Sequence, residues 1–221
     1  MQIMNIIQRG AICSSTVLFF QAKGDLVGNI FTIGYSGTEI DSFLEKLVMN
    51  KIDVVCDVRS TPYSIYKPDF SRREFRKHLN SANIKYSFFG EQLGARPKDR
   101  SVYVRGQATY EKIAETSYFT RGLERLREGS RKLNLALVCS EKDPIDCHRA
   151  CLVCYNLEDM RERIFHIHTN GGLEKQDQFE QRLVDLHKLT PSPLFQRAGD
   201  WEVAVSEAYK KQASCIAYRE S

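Results

Sequence analysis

"GNIFTIGYSGTEIDSFLEKLVMNKIDVVCDVRSTP", residues 28–62, is the stretch whose reading decides the fold. It opens with a short apolar run that ends in a glycine-bounded loop, "GYSG", the pattern of a buried strand. Ile40, Phe43, Leu44, Leu47 and Val48 then fall on one helical face. Thr38 suits the N-cap of that helix, with Glu39 in its first turn. "DVVCDVRSTP" is a second strand, β-branched and stopped by Pro62. A strand, a helix and a strand in so short a span predict parallel pairing through a crossover helix.

The alternation continues outward. "SRREFRKHLNSAN" (71–83) reads as a helix capped by Ser71, and "IKYSFFG" (84–90) as a third strand. Residues 90–110 show no period and read as a long loop, a length that compact domains often put to use. "TSYFTRGLERLREGS" is helical, with Gly129 near its end, and "LNLALVC" (133–139) is the most apolar strand. "DCHRACLVCYNLEDMRE" (146–162) reads as a helix, "RIFHIHT" (163–169) as a fifth strand and "GLEKQDQFEQRLVDLHK" (172–188) as a closing helix. Beyond Pro191 and Pro193 the register breaks, and one appended helix is expected from residue 199. The expectation is an α/β fold: an open, mostly parallel twisted sheet of about five strands with helices on both faces, Rossmann-like in plan. Residues 30–189 form that domain, 1–29 an N-terminal extension and 190–221 an appended helix or tail.

Composition sets the bounds. With 221 residues, 42% hydrophobic and 27% charged, the chain can bury a full core. A net charge of +4 permits an anionic substrate or nucleic acid without demanding one. Seven cysteines, odd in number and mostly late in the chain, read as reduced thiols of a cytoplasmic protein, not a secreted disulfide framework. No apolar run approaches the roughly 18–20 residues that span a bilayer, so no membrane partner is expected. "QRGAICSSTVLFFQAKG" near the N-terminus makes a poor signal peptide, broken by Ser14, Ser15 and Thr16, and reads as a strand or loose extension.

In open α/β sheets, ligands bind beyond the carboxyl ends of the strands. The residues following each strand are therefore the candidates: Tyr35 and Ser36, then Asp57, Arg59 and Ser60, then Glu91, then Cys139, Ser140 and Glu141, then His166 and His168. The densest chemistry is "VCSEKDPIDCHRA", residues 138–150. An Asp-Pro turn there leads into a predicted helix whose first turn carries Cys147, His148 and Arg149. Backbone N–H groups and the helix dipole would favour an anion at that point, a phosphate or a thiolate. Glu141 faces the same loop and can move protons. Asp57 and Arg59 sit at a strand end, and the planar guanidinium fork suits a carboxylate or phosphate. Cys147, Cys151 and Cys154 recur at i, i+4 and i+7. With no C-x-x-C knuckle pair, they read as a packed stripe of small residues, and no metal or other cofactor is expected. Residues 66–105 hold ten Lys/Arg against four Asp/Glu, with seven interleaved aromatics. Such a tract is either a solvated helix face over core aromatics or a surface that stacks the bases of a nucleotide or nucleic acid.

Taken together, "TIGYSG", "DVRSTPYS", Leu93-Gly94, "LVCSEKDPIDCHR" and "FHI" make residues 31–169 resemble the bacterial domain-of-unknown-function family 488, with Cys-x-Glu…Cys-His-Arg as the most specific element. The resemblance implies a compact cytosolic α/β protein of bacteria or archaea. It marks Tyr35, Asp57, Arg59, Cys139, Glu141, Cys147, His148 and Arg149 as the positions of interest and names no reaction. Tyr35 stands where many relatives carry histidine, which weakens any role for it as proton carrier. A fainter likeness to rhodanese domains stops at Glu141 and Asp143, whose charge would repel an anionic sulfur donor.

Three functions follow as expectations. The first is an enzyme acting on a phosphate-bearing nucleotide or nucleic acid. In it Arg59 and Arg149 hold the anion, assisted by Tyr35, Ser36 and Cys147. Glu141 is the general acid/base, Asp57 and His148 belong to the catalytic set, and Cys139 is nucleophile or pocket wall. The second is a thiol-dependent transferase or redox protein using Cys139 with Cys147. The third is a non-catalytic nucleic-acid-binding module using residues 66–105.

Overall fold

The computed structural model describes residues 27–191, 197 and 199–220. Most of the extension expected at 1–29 lies outside the described residues. Strand β1 (Ile30–Gly34) leads through helix α1 (Ile40–Met49) to β2 (Val54–Asp57), then through α2 (Arg72–Ser81) to β3 (Lys85–Phe88). After a short helix α3 (Gly90–Leu93) comes a small ribbon, β4 (Tyr103–Val104) with β5 (Gln107–Ala108). Helices α4 (Tyr110–Ala114) and α5 (Ser117–Gly129) precede β6 (Leu135–Cys139). Beyond β6 lie β7 (Ile164–Ile167), β8 (Leu173–Lys175), α6 (Gln176–Leu186) and α7 (Asp200–Ile216).

The main sheet runs β3-β2-β6-β1-β7-β8. All of its pairs are parallel except β7 with β8. The expected open, mostly parallel α/β sheet is present, with six strands instead of about five. The addition is β8, read from the sequence as the start of the closing helix. Leu173–Lys175 instead pairs antiparallel with β7 and leaves α6 to begin at Gln176. The stretch 90–110, expected to be loop, contains α3 and the ribbon.

Strand alternation sorts the core into two layers. Phe31, Ile33, Val55, Ala136 and Val138 face α1 and α2 through Phe43, Leu47, Phe75 and Leu79. Ile30, Cys56, Leu135, Leu137 and Cys139 face the other side, against Phe119 and Leu126 of α5, Phe179 and Leu183 of α6, and Tyr209 of α7. Helix α7 is thus packed into the same core as the sheet, with Ala204, Ala208, Tyr209 and Ala213 buried.

Two caps differ from expectation. Ser71 does occupy the N-cap position of α2, but its hydroxyl accepts from Ser64 N (3.1 Å) and donates to Ser64 O (3.2 Å), tying the helix to the preceding loop. The N-cap position of α1 is Glu39, one residue after Thr38.

A larger departure follows β6. The cysteine-rich segment is not an α-helix. Asp143 caps a 3-10 turn (Pro144–Asp146) by accepting from Ile145 N, and Arg149–Cys154 then forms a wide π-type turn in which Tyr155 N donates to Ala150 O. A 3-10 segment, Glu158–Arg163, completes the connection. The i, i+4, i+7 spacing of the cysteines resembles α-periodicity, but the wide turn adds a residue. Cys151 and Cys154 do pack in the core, as a small-residue stripe would.

His166 of β7 shows how the layers are locked. The Thr32 hydroxyl donates to its Nδ1 (2.9 Å), and its Nε2–H donates to Gln176 Oε1 (3.0 Å). Burial, reinforced by the nearby Arg149 charge, holds the ring neutral down to a pKa of about 3. The unfolded chain takes up this proton near the ordinary histidine value of about 6.5, so stability is full above that pH and falls as pH drops toward 3. Between pH 7.5 and 5 this residue should remove about 2 kcal/mol of unfolding free energy, measured by urea titration. His166→Asn should flatten that part of the profile, and parallel profiles for the two proteins would refute the assignment.

Candidate functional site

The parallel register of β1, β6 and β2 continues past the strand ends. Tyr35 N donates to Cys139 O (3.2 Å), Ser36 N to Ser140 O (2.9 Å) and Val58 N to Val138 O (3.2 Å). Three loops expected to carry chemistry are therefore laced together at one rim. Gly34 is required there, because a Cβ at that position would stand 1.8 Å from the Glu141 carbonyl oxygen. The rim lies between β1 and β6, where the chain leaves in opposite directions toward β2 and β7.

Because side chains alternate, the rim has two halves on opposite faces of the sheet. On the α1/α2 face, Asp57 grips Arg59. Arg59 Nε donates to Oδ1 (2.8 Å) and Nη2 to Oδ2 (2.6 Å), while Tyr86 OH also donates to Oδ2 (2.8 Å). The guanidinium lies 5.1 Å from the Tyr35 ring centroid and 5.9 Å from that of Phe75. Arg59 is 4% exposed, and its Nη1 has no hydrogen-bond partner among the described residues.

On the other face, Cys139 ends β6 and meets the turn that follows. His148 Nδ1 lies 3.7 Å from Cys139 Sγ and 3.9 Å from Cys147 Sγ, while its Nε2–H donates to Val58 O (3.1 Å). The Cys147 thiol donates to Glu141 Oε2 at 3.0 Å. The two halves touch through Val58, the neighbour of Arg59, and through Ser140, whose hydroxyl donates to Tyr35 OH (3.1 Å).

Charges in the thiol half are interdependent. Burial opposes ionisation of Cys147, yet the Cys139 thiol, the Arg149 guanidinium and His148 together pull it well below the usual thiol range. Cys139 is pushed the other way, by its contact with Cys147 and by burial. Glu141 is raised by burial and then by Cys147, and His148 is raised against burial by Cys147. The two sulfurs are thus pulled in opposite directions, with ionisation favoured at Cys147 over Cys139.

Arg149 does something other than expected. It is 0% exposed, and its donors serve the chain itself: Nη1 to Glu141 O (2.7 Å), Nη2 to Lys142 O (3.3 Å) and Nε to Thr32 Oγ1 (3.4 Å). The residue fixes the Glu141 loop and does not face an anion. Asp57 likewise spends both oxygens on Arg59 and Tyr86, which makes it the support of Arg59. Ser36 is held at the rim through its backbone. Glu91 is exposed, His166 is buried in the core, and His168 pairs with Glu174 (3.0 Å). Sequence reasoning missed Tyr86 and Phe75 beside Arg59, Val58 O beneath His148, and Arg182, which holds Asp143 and with it the turn (3.0 Å). Of these, Tyr86 and Phe75 left a trace, as aromatics inside the basic tract. A cavity of ≈ 700 Å³ lies elsewhere, with Arg127, Tyr155, Arg161, Glu180 and Trp201 among its lining residues.

The chain belongs to the family of the domain of unknown function DUF488, whose model matches residues 39–156. The match includes Asp57, Arg59, Cys139, Glu141, Cys147, His148 and Arg149. No curated protein and no solved structure matches the chain. No helix among the described residues is long and apolar enough to cross a membrane.

Removing the Arg149 guanidinium takes the donor from the half-buried carbonyls of Glu141 and Lys142 and leaves the Thr32 hydroxyl with His166 alone. Arg149→Met should therefore cost about 2–5 kcal/mol in urea unfolding, at roughly 1–3 kcal/mol per orphaned acceptor. A cost no larger than that of a surface substitution, about 0.5 kcal/mol, would contradict the role.

Proposed function

We propose that the chain is an enzyme that acts on a phosphate-bearing nucleotide or nucleic acid, with the phosphate on Arg59 and Glu141 as general acid/base. The observation that carries this reading is the state of Arg59. Asp57 and Tyr86 pre-set its fork, the rings of Tyr35 and Phe75 lie within cation–π distance, and a buried Nη1 is left without an acceptor among the described residues. A buried charged donor without a partner is costly, and a phosphate oxygen would satisfy it. Glu141 supports the second part. Its carboxylate is the partly exposed member of the thiol half, bonded to Cys147 and one residue from Ser140, which meets Tyr35. Cys139 and Cys147 line the site behind it.

The surroundings favour a nucleotide. Arg72, Arg73, Arg76 and Lys77 of α2 form a basic groove, and the loop before it exposes Tyr63, Ile65 and Tyr66, the last 96% exposed. Arg76 packs over Tyr86, whose hydroxyl reaches Asp57, so the groove is continuous with the Arg59 support. Phe70, Phe75 and Phe89 of the same tract are buried in the core and are not available for stacking.

Nucleoside monophosphates should raise the melting temperature of the protein where the same nucleosides do not. Arg59→Lys, which keeps the charge and loses the fork, should weaken that binding about tenfold or more with an unchanged circular-dichroism spectrum. Glu141→Gln should keep the binding and lower turnover by about 10²–10⁴-fold. Equal response to phosphorylated and unphosphorylated ligands, or an indifferent Arg59→Lys, would overturn the reading.

A further inference from the structure

The thiol half of the rim has a second property, independent of the phosphate. We propose that Cys139, Cys147, His148 and Glu141 form a tetrahedral site for zinc, with Glu141 as the exchangeable fourth ligand. One donor atom from each residue lies within 4.8 Å of the other three. Zinc bonds of about 2.3 Å to sulfur and about 2.0–2.2 Å to nitrogen and oxygen give a tetrahedron with edges of roughly 3.3–3.8 Å. The corresponding edges here are 3.7 Å from Cys139 Sγ to His148 Nδ1, 3.9 Å from Cys147 Sγ to the same nitrogen, and 3.0 Å from Cys147 Sγ to Glu141 Oε2. Closing the cage shortens the two sulfur–nitrogen edges by a few tenths of an ångström and opens the Cys147–Glu141 edge by about half an ångström.

The surroundings of the ligands fit the same role. Ligating histidines characteristically give their other ring N–H to a carbonyl or carboxylate, and His148 Nε2 gives its hydrogen to Val58 O, leaving the Nδ1 lone pair between the two sulfurs. The backbone N–H of Arg149 points at Cys147 Sγ (3.5 Å), a contact that suits a thiolate. Arg149 Nη1 holds the carbonyl of Glu141 itself, which places that carboxylate opposite Cys147.

Charge gives an argument separate from distance. Arg149 is fully buried and forms no ion pair among the described residues. Two thiolates and a carboxylate carry three negative charges, and a divalent ion plus the Arg149 guanidinium carry three positive ones. The occupied site is neutral, which is what a buried cluster requires. Two sulfurs and an imidazole exclude calcium and magnesium, which take oxygen ligands, and a four-coordinate S₂NO set is zinc chemistry.

Cys139, Cys147 and His148 are buried, whereas Glu141 is partly exposed. Three firm ligands and one that can swing aside is the arrangement of a catalytic site, not of a closed structural knuckle. Glu141 leaving the ion would open a coordination position to water or substrate and would free the carboxylate to take a proton. This last step rests on the function proposed above; the binding of the ion does not.

Metal content and cobalt substitution test the site without any substrate. The full chain, treated with chelator and then dialysed against zinc, should retain close to one equivalent per chain by elemental analysis. Cobalt(II) in its place should give the intense visible bands of a tetrahedral ion and a near-ultraviolet sulfur-to-cobalt charge-transfer band. Cys139→Ser, Cys147→Ser and His148→Gln should each lose roughly tenfold or more in affinity, Glu141→Gln less, and Cys215→Ser, an exposed thiol outside the cluster, nothing. Should a ligand variant fail to fold, the wild-type chain decides: zinc should shield Cys139 and Cys147, but not Cys215, from iodoacetamide. Retention below about a tenth of an equivalent, absence of the cobalt bands, or alkylation of Cys147 indifferent to zinc would overturn the site. Zinc bound without a phosphate effect would refute only the proposed function. A phosphate effect without zinc would refute only this inference.

Discussion

One buried cation organises the rim. The Arg149 guanidinium sits where the loop after β6 folds back over β1, and it holds the carbonyls of Glu141 and Lys142 from inside. Its Nε reaches Thr32, which donates to His166, which donates to Gln176, which in turn donates to Tyr209 of α7. A chain of hydrogen bonds thus runs from the candidate site through two strands to the two C-terminal helices. A lysine would offer a point charge there and could not reach several acceptors in a plane. The cost of burying this charge is offset only if negative charge lies close by, and the sulfurs of Cys139 and Cys147 and the carboxylate of Glu141 supply it.

The second constraint is register. Parallel pairing of β1, β6 and β2 sends "GYS", "CSE" and "VRS" off the same edge, so residues far apart in the chain, Val58 with Val138 and Tyr35 with Cys139, meet through backbone bonds. Alternation then divides the side chains. Asp57 and Arg59 fall to the α1/α2 face with Tyr35 and Phe75, while Cys139 falls to the other face with Cys147 and His148. The anion-seeking group and the thiol-bearing group are neighbours across an edge instead of facing walls of a cleft. The substrate proposed above would drape over the strand ends, its phosphate on one side and its reacting bond on the other, with the basic groove of α2 leading to the first of these.

Much of this was legible in the sequence. The strand–helix–strand pattern of residues 28–62 and the apolar run at 133–139 fixed the sheet type, and the residues after each strand converged as that fold requires. Three things were hidden, each for a physical reason. The π-type turn was read as α-helix because three cysteines at i, i+4 and i+7 mimic a helical face, and one inserted residue leaves no mark in composition. β8 was absorbed into a helix because three residues are too few to show a period. The residue type of Arg149 suits an anion binder; only burial and the carbonyls around it reveal a clamp. The metal-like cluster escaped because its ligands, Cys-x-Glu and Cys-His, come from a strand end and a turn and match no knuckle spacing.

The central claim is that two thiols, one imidazole and one carboxylate converge on a single point held in place by Arg149. X-ray absorption at the zinc edge of the loaded full-length protein measures this most directly. The account predicts two sulfur scatterers at about 2.3 Å and two nitrogen or oxygen scatterers at about 2.0–2.2 Å. A shell of nitrogen and oxygen alone, or a single sulfur, would contradict it.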